Sequence, residues 1–323
     1  MPSSSPLLAA DAIESPAMRQ AGAGLLSLAL MAARNPTLQL LTLHEQAAAQ
    51  DADEALPSPG TEAEDLFPIP DAQPLWLAGY AGWFAERWIG RNTQRNLGPA
   101  CPVQPMRLAS IQPQADSWWN PRLQTQDGAA TTDLPDTEAT RAYLLETLES
   151  TLELLDKAAP GDAALYFYRL ALQHEDLCGE ALVVQAQAQG VPLTIDLPAA
   201  IPPAEAVMLP SAPWTLGLGH AAGGSGFAFD IEQGHQQTLV PEFEIDAHPV
   251  SWAQYVEFVA DGGYDREALW HPAGWAWLQG ADGGQARRAP RYVDRIGAAN
   301  GAVMLTRFGK PMRMAGQQLA MHL

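Results

Sequence analysis

The segment from Asp136 to Gly190 limits the fold most tightly. Leu144, Leu145, Leu148, Leu152 and Leu155 form an apolar stripe, with Thr137, Thr140 and Arg141 on the polar side, and the pattern stops at Pro160-Gly161. A second run extends from Asp162 to about Gln189 and ends at Gly190. Apolar residues recurring every three or four positions define one buried face of a helix. Two further helices are predicted upstream. One covers Met18 to Ala49, with a kink or break at Asn35-Pro36. The other runs from Pro74, a residue favoured in a first helical turn, to about Arg91 and carries Leu75, Trp76, Tyr80, Trp83, Phe84 and Trp88. The acidic, Pro-rich stretch Gln50–Pro70 and the Pro/Gln/Asn-rich stretch Asn92–Pro135 read as connections. Four amphipathic helices with one long connection describe a helical bundle.

The pattern changes after Pro192. Pro198, Pro202, Pro203, Pro210 and Pro213 mark a linker. Short apolar runs follow at Trp214–Gly219, Gly226–Asp230 and Thr238–Ile245, which read as strands, and then a short helix at Ser251–Ala260. The remainder, rich in Trp, Gly and Arg, shows little periodicity. The predicted class is therefore α+β, with a disordered tail over residues 1–16, a bundle over 17–200, a linker over 201–213 and a second domain over 214–323.

Composition excludes some partners. The net charge of −19 over 323 residues opposes binding to a phosphate backbone or to an anionic lipid surface. Two cysteines, Cys101 and Cys178, make no secreted disulfide framework. The apolar stretch Ala23–Ala33 is too short to span a bilayer and ends at Arg34. These features predict a cytoplasmic protein without nucleic-acid or membrane partners.

Chemistry concentrates in Tyr166–Glu180. His174 and Cys178 are four residues apart on a helix and point the same way, so both can reach one metal ion. The same spacing also suits a half-buried histidine beside a core cysteine. Arg87, Arg91 and Arg95 line one helical region and its exit, either as a solvated face or as a carboxylate-binding patch. Arg122 follows Trp118-Trp119-Asn120-Pro121. His44 is a lone histidine on the first helix. Gly217-Leu218-Gly219 and Gly223-Gly224 make no nucleotide fingerprint, because no helix with an acidic partner follows.

Three segments carry a family resemblance. Pro74-Leu-Trp-Leu-Ala-Gly-Tyr-Ala-Gly-Trp-Phe-Ala-Glu86 and His174-Glu-Asp-Leu-Cys-Gly-Glu180 resemble the paired motifs of the DinB-like domain in ergothioneine and selenoneine synthases. Phe243–Tyr264, with Trp270, Gly274, Trp275, Trp277 and Leu278, resembles the opening of a formylglycine-generating-enzyme-like (C-type-lectin-related) domain. The resemblance implies a DinB-like four-helix bundle followed by a partial domain of that second kind. It implies an O₂-dependent oxidoreductase that forms a C–S or C–Se bond on hercynine, with a thiol or seleno-sugar as second substrate. It further implies Fe(II) at Tyr80, His174 and Cys178, and it places Arg122 where the family has substrate-binding loops; Arg87 and Arg91, from the carboxylate-binding reading of their patch, complete the candidate substrate contacts.

Two of the three implied ligands depart from the family's histidines: Tyr80 and Cys178 stand where imidazoles are expected. A phenol ligates only when ionised, and a thiolate shifts preference toward softer metals. The family's later motifs have no counterpart here, so the second domain is expected to be truncated. That predicts apolar exposure around Trp270, Trp275 and Trp277, and self-association or a partner through that domain. The alternative to an active enzyme is a catalytically silent paralogue acting as a binding or partner subunit.

Overall fold

The computed structural model describes residues 16–51, 73–124, 133–194, 207–221, 223–280, 288–296 and 303–316. The predicted disordered tail lies outside these residues except for Pro16, which opens a 3-10 turn at Pro16–Gln20. The chain divides into two compact units, Met1–Gln189 with Gly217–Gln236, and Gly190–Leu216 with Gln237–Leu323. Its mixture of long helices and small sheets is that of an α+β protein.

The first unit is built on four helices: α1 (Ala23–Asp51), α2 (Pro74–Ala85), α5 (Thr137–Asp156) and α6 (Asp162–Gln189), with short α3 (Ala115–Trp119) and α4 (Pro121–Gln124) between α2 and α5. α1 and α2 each pack against both α5 and α6. Asp136 caps α5 through its carboxylate, which accepts from the Ala139 amide at 2.8 Å, satisfying one of the free donors at the helix start. Of the kink or break expected at Asn35-Pro36, the break is absent: α1 runs unbroken through Pro36. Leu26 and Leu30 on one side of the proline and Leu40 and Leu41 on the other are all buried, and this two-sided burial offsets the roughly 3 kcal/mol that an interior proline costs. Gly79 on α2 is required by packing: a Cβ there would sit 2.1 Å from the Trp119 indole. α2 ends in a single π turn at Glu86–Gly90, closed by the Arg91 amide donating to the Glu86 carbonyl at 2.8 Å.

Gly226–Asp230 is not a strand. Gly226 takes a positive φ and donates its amide to Asp162 at 2.8 Å, the Phe227 amide donates to the Arg19 carbonyl, and the buried Phe227 ring packs 5.3 Å from Tyr166. These contacts tie the backbone into the first unit as a loop.

In the remainder, β1 (Met208–Ser211) pairs antiparallel with β4 (Phe243–Asp246), and β2 (Trp214–Leu218) pairs with β3 (Gln236–Val240). β1 thus lies inside the stretch read as linker. The run Thr238–Ile245 is two strands because Pro241 has no N–H for a ladder and ends β3. α7 (Trp252–Ala260), capped reciprocally by Ser251 and Gln254, packs Trp252 and Val256 against Val303 and Met314 of the antiparallel sheet β5 (Val293–Ile296), β6 (Val303–Arg307) and β7 (Lys310–Met314). In the β1–β4 ladder, Leu209 faces Ile245 and Ser211 faces Phe243. Phe243 and Ile245, two residues apart, share one face and are 41% and 56% exposed. In α8 (Pro272–Leu278), Trp277 is exposed, but Trp275 is half-buried, as is Trp270, whose indole N–H donates to the Gly263 carbonyl at 2.8 Å. The expected exposure of that tryptophan group is therefore confined to Trp277. Among the described residues no helix is long and apolar enough to cross a membrane.

Candidate functional site

Tyr80, on α2, meets His174 and Cys178, on α6, inside the first unit. The helical spacing of four brings Cys178 Sγ to 3.8 Å from His174 Nδ1, and the Tyr80 ring lies edge-on to the imidazole with centroids 4.7 Å apart. Phe84, one turn beyond Tyr80, stacks flat on the same imidazole at 3.7 Å. Trp76 stacks on Tyr80 with ring centroids 4.6 Å apart. His174 Nε2 is shielded from water and has no hydrogen-bond partner.

Burial decides the protonation of this group. It lowers the His174 pKa to about 3, so the imidazole is neutral. Burial, reinforced by the Glu175 carboxylate, pushes the Cys178 thiol well above its ordinary range. It likewise raises Tyr80 to about 12, with the Cys178 charge adding and Arg87 opposing. Ionising that phenol at pH 7 would cost about 7 kcal/mol. A neutral imidazole, a protonated thiol and a protonated phenol make a poor donor set for Fe(II). Two protons would have to leave before three ligands existed, whereas three imidazoles need lose none. Among the described residues no group of three or more His, Cys, Asp or Glu is placed to hold a metal ion.

Glu175, next in sequence to His174, has the opposite environment. Its carboxylate accepts from Arg34 Nη2 at 2.9 Å, from Arg34 Nε at 2.5 Å and from Thr37 Oγ1 at 3.2 Å, all buried. Arg34 also donates to the Leu144 carbonyl. This pair ties α1, α5 and α6 together. Glu180, the other acidic residue of the motif, is exposed.

The arginines separate. Arg91 is committed: it donates through both terminal nitrogens to Asp116, at 2.8 and 2.9 Å, and through Nε to the Leu108 carbonyl at 3.0 Å. Arg87, carried on the π turn, stacks over Trp83 at 4.8 Å and lies 3.6 Å from Asp116. Arg95 donates to the Asn92 carbonyl at 3.2 Å. Arg122 is exposed on α4. Asp116, held below the usual carboxylate range chiefly by the hydrogen bonds from Arg91, also accepts from the Trp83 indole at 2.8 Å. Neither Asp116 nor Arg107, which lies beside Trp88, stands out in the sequence, because both fall in the aperiodic connection. His44 is structural in its contacts: buried, with Nε2 donating to the Leu182 carbonyl at 3.0 Å.

No family model matches the chain. It is similar to a hercynine oxygenase of Mycolicibacterium smegmatis, 27% identical over 255 residues, which cover 77% of this chain and 54% of that protein. It is also similar to a hercynine oxygenase of Mycolicibacterium thermoresistibile, 23% identical over 209 residues, covering 63% of this chain and 44% of that protein. The chain spans about half the length of the curated relatives it matches.

Proposed function

We propose that the chain is a distant relative of hercynine oxygenases in the ergothioneine-related group. In this reading it is catalytically silent and serves as a small-molecule-binding or partner subunit. The observation that carries this reading is the Tyr80–His174–Cys178 group. Of the positions that the resemblance assigns to metal ligands, Tyr80 is stacked by Trp76 and His174 by Phe84, and burial holds the thiol of Cys178 and the phenol of Tyr80 in their protonated forms. The ligand this reading favours is hercynine or a similar zwitterion, by similarity to the two oxygenases.

The second reading is an active Fe(II)-dependent enzyme joining sulfur or selenium to hercynine. The unpartnered, shielded Nε2 of His174 favours it, since a metal would answer that atom. Metal analysis of the protein after anaerobic incubation with Fe(II), alongside calorimetry with hercynine, separates the two. Silent binding predicts far less than one iron per chain and saturable hercynine binding that added iron does not alter. One tightly held iron per chain, lost in His174→Ala, overturns it.

A further inference from the structure

Arg107 presents an unanswered question of charge. Its guanidinium stacks over Trp88, with the central carbon 5.1 Å from the ring centroid. Its Nε and Nη2 are both shielded from water and have no hydrogen-bond partner. A guanidinium edge facing solvent needs no explanation, but one closed off from water and left unpaired forfeits the hydration of a full charge. These two nitrogens share one edge of the planar group. That edge offers two parallel N–H bonds, the geometry that matches the two oxygens of a carboxylate or phosphate.

The neighbouring carboxylates do not answer it. Asp116 is engaged by Arg91 and Trp83. Glu86 accepts from Ser110 Oγ at 2.9 Å, from the Ile111 amide at 2.7 Å and from Tyr143 Oη at 2.7 Å. Burial lowers the affinity of Arg107 for its own proton, and repulsion from Arg87 and Arg91 adds to this. Three guanidiniums thus gather around two carboxylates that are already occupied, in a chain of net charge −19. The Arg107 residue is half-buried, and its sequence neighbours Met106 and Leu108 are exposed. Arg107 is also pinned in place, because the Thr93 amide donates to the Met106 carbonyl and the Leu108 amide to the Arg91 carbonyl, at 3.2 and 2.8 Å.

We propose that Arg107, flanked by Arg87 and resting on Trp88, is the receiving group of an oxyanion site that takes the carboxylate or phosphate of a small molecule side-on. Arg87 supplies the second positive charge and Trp88 fixes the plane of the Arg107 fork. The site does not depend on metal at His174 or on the function proposed above.

The full-length protein, labelled with ¹⁵N-arginine, gives the test through the side-chain Nε–H signals, assigned with Arg107→Lys and Arg87→Lys. It is titrated with sodium succinate, with inorganic phosphate, with hercynine, and with sodium chloride at matched ionic strength. The proposal expects a saturable shift of the Arg107 signal with succinate or phosphate and none with chloride. Whichever of the two binds more tightly names the source of the oxyanion. Arg107→Lys keeps the charge but not the fork, and is expected to weaken binding at least tenfold. An Arg107 signal that no oxyanion moves, or that chloride moves equally, overturns the site, as does an Arg107→Lys variant that binds like the parent. If that variant does not fold, the wild-type Arg107 shift and the Arg87→Lys affinity decide instead. Absence of hercynine binding by calorimetry, while succinate still moves the Arg107 signal, would remove the hercynine-binding reading and leave this site standing.

Discussion

His174 and Glu175 are adjacent on α6, yet they sit in opposite kinds of interior. Glu175 turns toward α1 and receives hydrogen bonds from Arg34 and Thr37. His174 turns toward α2, meets aromatic rings, and leaves Nε2 unanswered. A step of about 100° round a helix is enough to pass from one to the other. The charged spot is complete and therefore holds the helices in one arrangement. The aromatic spot is incomplete in its polar atoms and complete only in its packing.

Breaking the charged spot has the largest expected effect. Glu175→Ala leaves Arg34 buried without its partner and should destabilise the protein by about 3–5 kcal/mol in urea unfolding, whereas Arg34→Met with Glu175→Leu should recover most of that loss. A single variant within about 1 kcal/mol of the parent would mean that water reaches Arg34.

The next effect is pH dependence at His44. Burial holds its folded pKa below the ordinary value. The unfolded chain therefore binds a proton at His44 before the folded chain does. Stability from this group is fully present above the unfolded value, near 6.5, and is lost as pH falls below it, with a slope of up to about 1.4 kcal/mol per pH unit. His44→Gln should lessen the slope of the stability profile between about pH 6.5 and 5, with the more strongly depressed His174 supplying the slope that remains. An unchanged slope would place the proton elsewhere.

On the aromatic side, His174→Leu should raise stability by up to ~1 kcal/mol, because it removes an unpaired buried polar atom while filling most of the volume. A loss of several kcal/mol would show that Nε2 has a partner in solution, which is the outcome that the metal reading requires. Smallest of all, Phe243→Thr in the exposed β1–β4 face should change stability by less than about 0.5 kcal/mol in urea unfolding, and a larger loss would show that this face is covered in solution.

Much of the first unit was legible because helical burial repeats. Asp162–Gln189 matches the predicted span, and the spacing of His174 and Cys178 did bring them together beside Tyr80. The break offered at Pro36 does not occur because a proline signal is local, while Leu26, Leu30, Leu40 and Leu41 hold the helix from both sides. Gly226–Asp230 was misread because Phe227 and Phe229 look like strand residues, yet Phe227 is buried against Tyr166. The arginine site was invisible in part. Arg107, Asp116 and Trp119 lie in a stretch without periodicity, where the chain is shaped by single tertiary contacts that leave no pattern in the sequence.

The π turn at Glu86–Gly90 gives this region an unusual sensitivity to chain length. One residue there corresponds to about 100° of rotation for everything that follows. Removing a single residue would restore an ordinary α-helical phase, swing Arg91 away from Asp116, and cut the tie between its backbone and Leu108 that holds Arg107 in place. A one-residue deletion is thus a rotary dial on the whole guanidinium cluster, able to dismantle it without altering any side chain in it.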